Sequence, residues 1–476
     1  MIHFKPITLG AAALFDRYMQ STRNCDTSFA NIFCWQSTYH TLYAETEEFL
    51  AVKYTSPEDG GTAYMLFCND FTPDILTRAA DILAEDARRH GEPLRITGLG
   101  QHAARIIKEH LGERFACAAG RDTADYIYDA GELRTLPGRR YQPKRNHLNR
   151  FHELYEYRYE PLTARHKHEC LHLEAEWRRH HADDGDGMQN AEQQAIICAF
   201  DNFDALGLMG GAIYIGGRMA AFTYGTPLNG DTFDICIEKA DTSFEGIFPA
   251  INRMFACSLP EQYRYIDREE DMGIEGLRRS KLSYHPVRLE YKYTALALSR
   301  EEQAMRRLWT EAFGDDESFV DAFLVARRSY GVTTMLSGDG QELQGMLHIV
   351  PLRTETGLTA AYIYGVATAP QYRRRGIASA LVRRAAEYAR GHFDAAILIP
   401  AGDGLKRFYG RFGFRDTDTR AVFCTEFDFG SGDAQNDRIM ILPFKPFTPV
   451  SELHLCKCTA TADDSTSATV QTEETA

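Results

Sequence analysis

Apolar and polar positions alternate through residues 207–240, GLMGGAIYIGGRMAAFTYGTPLNGDTFDICIEKA, in three β-rich runs separated by GG and NGD. Both separators are hairpin-turn signals. The pattern returns at residues 331–368, where GDGQ and TETG again break three strand-like runs. A helix candidate follows each meander, FPAINRMFACSL from Phe248 and GIASALVRRAAEYARG from Gly376. Each helix leads to a short strand, at 263–267 and 395–400, and a second helix and further strand region close both units. Two successive units of one order predict a duplicated α/β module. The strand–helix–strand step predicts a parallel pairing inside a mostly antiparallel sheet. Upstream, EEFLAVKY, TAYMLFC, DILTRAADILAEDARRH, PLRITGL and QHAARIIKEHL give a looser α/β order within residues 1–130, too irregular to count as a third copy from pattern alone.

Length and composition change this picture only slightly. A chain of 476 residues exceeds one ordinary core, so two to four domains are expected. The net charge of −14 argues against a general nucleic-acid coat, because phosphate affinity is built from clustered Lys and Arg. The eleven cysteines include no C-x-x-C pair and suggest neither a zinc nor a disulfide framework. The N-terminus lacks the basic and apolar regions of a signal peptide, and no run approaches the roughly 18 apolar residues of a membrane span. A reduced, cytoplasmic protein is expected. The Thr-rich end from Cys458 is too polar to offset its ordering entropy, and a disordered tail is expected over 447–476. Ser299 is the predicted N-cap of the helix that opens the last module. The expected modules are 1–135, 136–298 and 299–446.

The stretch YIYGVATAPQYRRRGIASALV carries the sharpest chemistry. AAYIYGVAT reads as a central strand, Pro370 ends its ladder, and Gly376 opens a helix whose apolar face includes Ile377, Ala380, Leu381 and Ala385. Unpaired N–H groups between a strand end and a helix N-terminus favour an anion such as a pyrophosphate. Arg373-x-x-Gly376-x-Ala378 resembles the acyl-CoA signature of the GNAT N-acetyltransferase superfamily, and FYGRFGF (408–414) is similar to the block that closes many GNAT domains. The resemblance implies that the loop amides and side chains from Arg373, Arg374 and Arg375 through Gly376, Ile377 and Ala378 hold acetyl-CoA or another acyl-CoA. It implies that backbone N–H groups around Val366 and Thr368 polarise the thioester, and that Tyr409 protonates the leaving thiolate. No metal is implied. The general base stays unassigned, with Tyr362, Tyr364 and His348 nearby in sequence pattern.

Residues 1–295 resemble the family named for the C-terminal domain of phosphatidylglycerol lysyltransferase, through KRNHLNRF, EAEW and YIDREEDMGIEGLRRSKLSYHP (265–286). The resemblance implies a tandem of GNAT-like domains. The expected fold is therefore α/β (α+β): tandem GNAT-like modules, each a mixed, mainly antiparallel sheet flanked by helices. The second module has Gly246 but no R-x-x-G-x-A, so CoA binding is not expected there. Glu269, Asp271, Arg278 and Lys281 are the candidate substrate-cleft residues, acids for an amine and cations for a carboxylate or phosphate. The basic stretch Arg134, Arg139, Arg140, Lys144, Arg145 and Arg150 reads either as a solvated helix face or as a steering strip for tRNA. The histidines of RHKHECLHLEAEWRRHH lack H-E-x-x-H order and read as an exposed face. The leading expectation is an N-acetyltransferase acting on a small-molecule or peptide amine. The alternatives are an aminoacyl-tRNA-dependent transferase centred on the N-terminal region and a non-catalytic acyl-CoA sensor.

Overall fold

A computed structural model describes residues 2–21, 23–57, 59–180, 186–338, 342–430, 437–446, 450–458 and 470–474. The chain forms two compact units, Met1–His110 with Ala119–Ala295, and Leu111–Ala118 with Leu296–Ala476. Among the described residues no helix is long and apolar enough to cross a membrane.

The first unit carries two sheets. One runs in the order Lys5–Pro6, Leu42–Glu45, Leu50–Thr55, Thr62–Phe67, Arg95–Leu99, with Tyr293–Ala297 following. Its last sequential step is parallel, Tyr64 opposite Ile96, across the helix Pro73–Arg89. Thr72 caps that helix by accepting from the Ile75 N–H, and Leu76, Ala79, Ala80 and Leu83 form its buried stripe. The looser pattern of residues 1–130 thus contains the same strand–helix–parallel-strand step as the two clearer repeats.

The second sheet runs Arg288–Glu290, Asp125–Asp129, Tyr265–Asp267, Thr232–Ala240, Arg218–Pro227, Met209–Ile215, Tyr157–Pro161. Only 232–240 and 265–267 are parallel, with the helix Ile247–Ser258 between them in sequence. The strand 125–129 lies between 265–267 and 288–290, although the strands that precede it in sequence build the first sheet. Tyr126, Tyr128, Phe222 and Phe233 are fully buried large side chains on this sheet, and Phe255 of the helix 247–258 packs on Phe233.

The second unit repeats the order. Strands Thr333–Gly338, Leu343–Thr354 and Thr359–Thr368 form the meander, and the helix Ile377–His392 leads to Ala395–Leu398, parallel to 359–368. The sheet continues through Arg438–Pro443, Arg415–Cys424 and Glu452–Lys457 back to 343–354, which also pairs with 359–368, so these six strands close on themselves. Ser299 caps Arg300–Phe313 in a reciprocal box with Glu302. The expected tail needs correction at its start: ELHLCK (452–457) is a strand between 415–424 and 343–354, with Leu453 and Leu455 buried. Its alternation places apolar residues on the core face, which outweighs the polar composition around it. Residues 470–474 pair with 333–338, and the rest of the expected tail from 459 onward lies outside the described residues.

Candidate functional site

In the second unit the ladder between 359–368 and 395–398 covers Ala360 to Tyr362 and stops at Ile397, while 359–368 runs on to Thr368. Two parallel strands that stop pairing leave backbone N–H and C=O groups facing a wedge rather than a partner. A register shift between Met346 and His348 on the other side bends the strand at the same level. Val366 and Thr368 lie half-buried on this unpaired stretch, and the Thr368 Oγ1 is buried without a partner.

Pro370–Tyr372 forms a single 3₁₀ turn after the strand, Arg374 adopts a left-handed φ of 65°, and Gly376 caps the helix at φ 86°. Arg373, Arg374, Arg375 and Gly376 are exposed, and Ile377 and Ala378 are half-buried. No protein atom lies within 4 Å of a Cβ built on Gly376. The first-turn N–H groups after Gly376 have no intrahelical acceptor, and the helix dipole adds positive potential, so the turn suits an anion. Arg375 stacks on the Tyr372 ring at 5.1 Å, and the Tyr372 hydroxyl donates to Glu342 at 2.5 Å.

Tyr409 lies in the helix Asp403–Gly410, 7% exposed and packed against the rings of Phe408 and Phe414. Burial pushes its phenol up to about 12, so it is a proton carrier at neutral pH. His348 is fully buried between Trp309 and Phe323, its Nδ1 on the Thr334 hydroxyl at 2.9 Å and its Nε2 unpartnered. Burial, aided by Arg327, pushes its pKa down to about 3, too low for a base at neutral pH. Tyr362 donates to the Phe429 carbonyl at 3.1 Å.

The first unit has the same device in altered form. The 232–240 and 265–267 ladder ends at Asp234 opposite Asp267, and 232–240 runs on to Ala240. Gly246 caps the next helix at φ 79° and ψ 8°, close to Gly376 at 86° and −1°. Here a Cβ would meet the His147 carbonyl oxygen at 2.3 Å and Phe151 at 3.1 Å. The helix Gln142–Leu154 therefore covers the position that is open at Gly376. This gives a steric reason for the missing CoA signature in the second module.

Two acidic groups converge beyond that wedge. In one, the Lys292 Nζ contacts Asp26 at 2.8 Å, Asp125 and Glu270 at 2.9 Å each, and the Cys25 Sγ at 3.1 Å. In the other, Asn31 donates to Asp234 at 3.0 Å and Glu269 at 3.1 Å, and the Cys236 Sγ lies 3.8 Å from Asp234. Asp267, the register partner of Asp234, accepts from the Glu269 N–H at 2.8 Å. Burial opposes charge throughout, but the two groups resolve it differently. Although burial works against its charge, Lys292 is held well above its usual range by Asp125 and Asp26. The same lysine overcomes burial at Glu270 and holds it at about 2, while Asp125, the more deeply buried acid, is pushed up by burial to about 7. Asp234, Asp267 and Glu269 are pushed well up by burial and by their acidic neighbours. Cys25–Asp125–Glu270 and Asp234–Cys236–Glu269 also bring thiol and carboxylate atoms within 4.8 Å of one another, close enough to share a metal ion.

Of the candidate cleft residues, Glu269 belongs to the second acidic group. The other three are engaged internally. Asp271 is fully buried and accepts from Arg278 at 2.7 and 2.9 Å, from Arg121 at 3.1 Å and from Tyr126 at 2.5 Å. Lys281 donates to the carbonyls of Arg268, Glu269 and Glu270 and so holds the loop that carries Glu269 and Glu270. Much of the basic stretch is also engaged: Arg134 donates to the carbonyls of Ala256 and Pro260, Arg140 pairs with Glu132, Arg145 donates to the Gly138 carbonyl, and Lys144 sits 3.8 Å over the Tyr284 ring. Asp26, Asn31, Asp125, Asp234 and Lys292 carry no local motif; folding brings them together from distant segments.

Residues 18–296 match the family described as phosphatidylglycerol lysyltransferase, C-terminal. The chain belongs to this family. Residues 295–416 match the acetyltransferase (GNAT) domain. Together they make the chain a lysyltransferase C-terminal-like region followed by a GNAT domain, of the acyltransferase class. A conserved protein of unknown function from Bacteroides thetaiotaomicron is 42% identical, covering 63% of this chain and 100% of its own, with a TM-score of 0.59. L-PGS from Bacillus licheniformis is 13% identical over 61% of this chain and 92% of its own, with a TM-score of 0.44. A GNAT family N-acetyltransferase from Escherichia coli, in complex with CoA, is 14% identical over 33% of this chain and 85% of its own, with a TM-score of 0.27. No curated protein matches the chain.

Proposed function

We propose that this family member is an acyl-CoA-dependent N-acyltransferase whose second unit moves an acyl group, acetyl by resemblance, to a small-molecule or peptide amine. The observation that carries the reading is the open, glycine-capped turn at Gly376 directly after the strand that parts from 395–398. The turn amides and the helix N-terminus would hold the pyrophosphate, which lays the pantetheine arm along the wedge. The thioester carbonyl would then lie against the unpaired backbone around Val366 and Thr368, where N–H groups stabilise the tetrahedral oxyanion. The neutral amine attacks the carbonyl carbon, the C–S bond breaks, and the thiolate takes the proton of Tyr409. The amine nitrogen gives up one proton to solvent water, and the Tyr409 phenolate regains one from water, so amine and acyl-CoA become amide and free CoA thiol with the tyrosine unchanged. The buried phenol suits its part because it keeps its proton until a basic thiolate forms.

Release of free CoA thiol from acetyl-CoA, followed across a library of primary amines, tests the reading. The wild type turns over with at least one amine, and Gly376→Trp, whose indole would fill the turn, does not. Tight CoA binding without turnover for any amine would make the unit a sensor instead. An aminoacyl-tRNA-dependent activity of the first unit predicts steeply salt-dependent tRNA binding, and the internal engagement of the basic stretch weighs against it.

A further inference from the structure

The two acidic groups of the first unit have the same composition. One thiol, two aspartates and one glutamate (Cys25, Asp26, Asp125 and Glu270) surround the ammonium of Lys292 at 2.8–3.1 Å. One thiol, two aspartates and one glutamate (Cys236, Asp234, Asp267 and Glu269) form the other group, and among the described residues no salt bridge reaches them. The ammonium of Lys281 points its donors at the carbonyls of Arg268, Glu269 and Glu270 rather than at these carboxylates. The neutral amide of Asn31 satisfies one oxygen of Asp234 and one of Glu269. The Asp234 Oδ1 and the Asp267 Oδ2 remain buried and unpartnered, on residues with no exposure at all. A buried carboxyl oxygen without a partner costs free energy that a bound donor would recover. An ammonium placed beside these raised carboxyls would favour their ionised form and displace a proton.

Asp234 and Asp267 are register partners on parallel strands, so their carboxylates rise side by side on one face of the sheet. They sit where the ladder ends, and Glu269 and Cys236 are the half-buried members above them. Donors at about 3 Å already satisfy two of the oxygens, which is N–H geometry; a metal ion would need oxygens near 2.0–2.5 Å and the displacement of Asn31.

We propose that the first unit holds a binding site for the primary ammonium group of a small organic ligand, with Asp234, Asp267 and Glu269 as its carboxylates. The ligand supplies from outside the group that Lys292 supplies from within the neighbouring cluster. The site lies outside the turn at Gly376 and goes beyond the acyl-CoA reading.

Calorimetric titration of the full chain with n-butylamine and 1,4-diaminobutane, against 1-butanol as the uncharged isostere, tests this. One amine site per chain is expected, with the alcohol at least about tenfold weaker, the worth of a charged hydrogen bond. Asp234→Asn and Asp267→Asn should each weaken the amine by about tenfold or more. Cys236→Lys, which places an ammonium in the group, should abolish amine binding while raising the melting temperature. Equal affinity for amine and alcohol overturns the proposal, as does wild-type amine affinity in both asparagine variants. So does saturation by Zn²⁺ or Mg²⁺ with no response to amines. CoA is titrated separately, so failure of this proposal and failure of the acyl-CoA reading give different results.

Discussion

Gly246 and Gly376 cap equivalent helices with nearly the same left-handed backbone, yet one faces its own chain and the other faces open space. In the first unit the helix 142–154 occupies the turn, and the wedge beyond it is lined by carboxylates at Asp234 and Asp267. In the second unit the turn is uncovered, and the matching rung of the ladder holds Tyr362 and Ile397. One backbone device thus presents two surroundings: an exposed turn in one unit and buried acids beyond a covered turn in the other. The glycine is required by its φ in both places. What surrounds it decides whether it is also a binding element.

The contrast can be broken by substitution. The largest effect is expected at Lys292, since Lys292→Met strips the one cation that, among the described residues, is bonded to Asp26, Asp125 and Glu270. Removing one member of a buried ion group costs about 3–5 kcal/mol, measurable by urea denaturation with hydrogen exchange read on the first unit. Next, Gly246→Ala should cost about 2–4 kcal/mol, because strain at positive φ adds to a clash with the His147 carbonyl. Gly376→Ala meets only the backbone strain, about 1 kcal/mol or slightly more. Equal losses at the two glycines would dissolve the comparison. Tyr409→Phe should lower kcat about a hundredfold while leaving CoA affinity unchanged, as expected of a group that acts only on the departing thiolate; an unchanged kcat would return Tyr409 to the core.

The two units should also respond to pH in opposite senses. The folded pKa of Asp125 lies near 7, above its unfolded value, so the stability it lends is present in acid and lost as pH rises from about 4 through 7. The folded pKa of His348 lies near 3, below its unfolded value, so its contribution is present above about 6.5 and lost as pH falls towards 3. Hydrogen exchange resolved by unit checks both slopes. Asp125→Asn should flatten the first and His348→Gln the second, the smallest effects of the set.

The repeat and the turn at Gly376 were legible because their signals are local: hairpin dipeptides, a proline at the strand end, a glycine before an apolar helix face. The acidic groups were not, since Asp26, Asn31, Asp125, Asp234, the 267–270 loop and Lys292 meet only once the strand 125–129 parts from the strands before it and joins the second sheet. Sequence pattern places Glu269 and Asp271 in one candidate cleft and does not separate Glu269, which faces the cluster, from Asp271, which holds Arg278. The strand at 452–457 was missed because six alternating residues lie beside a Thr-rich stretch that dominates any composition window.

Stoichiometric titration of the full chain with CoA bears most directly on the central claim. One site per chain, lost in Gly376→Trp, is the predicted result. No binding, two sites per chain, or a single site indifferent to Gly376→Trp would contradict it.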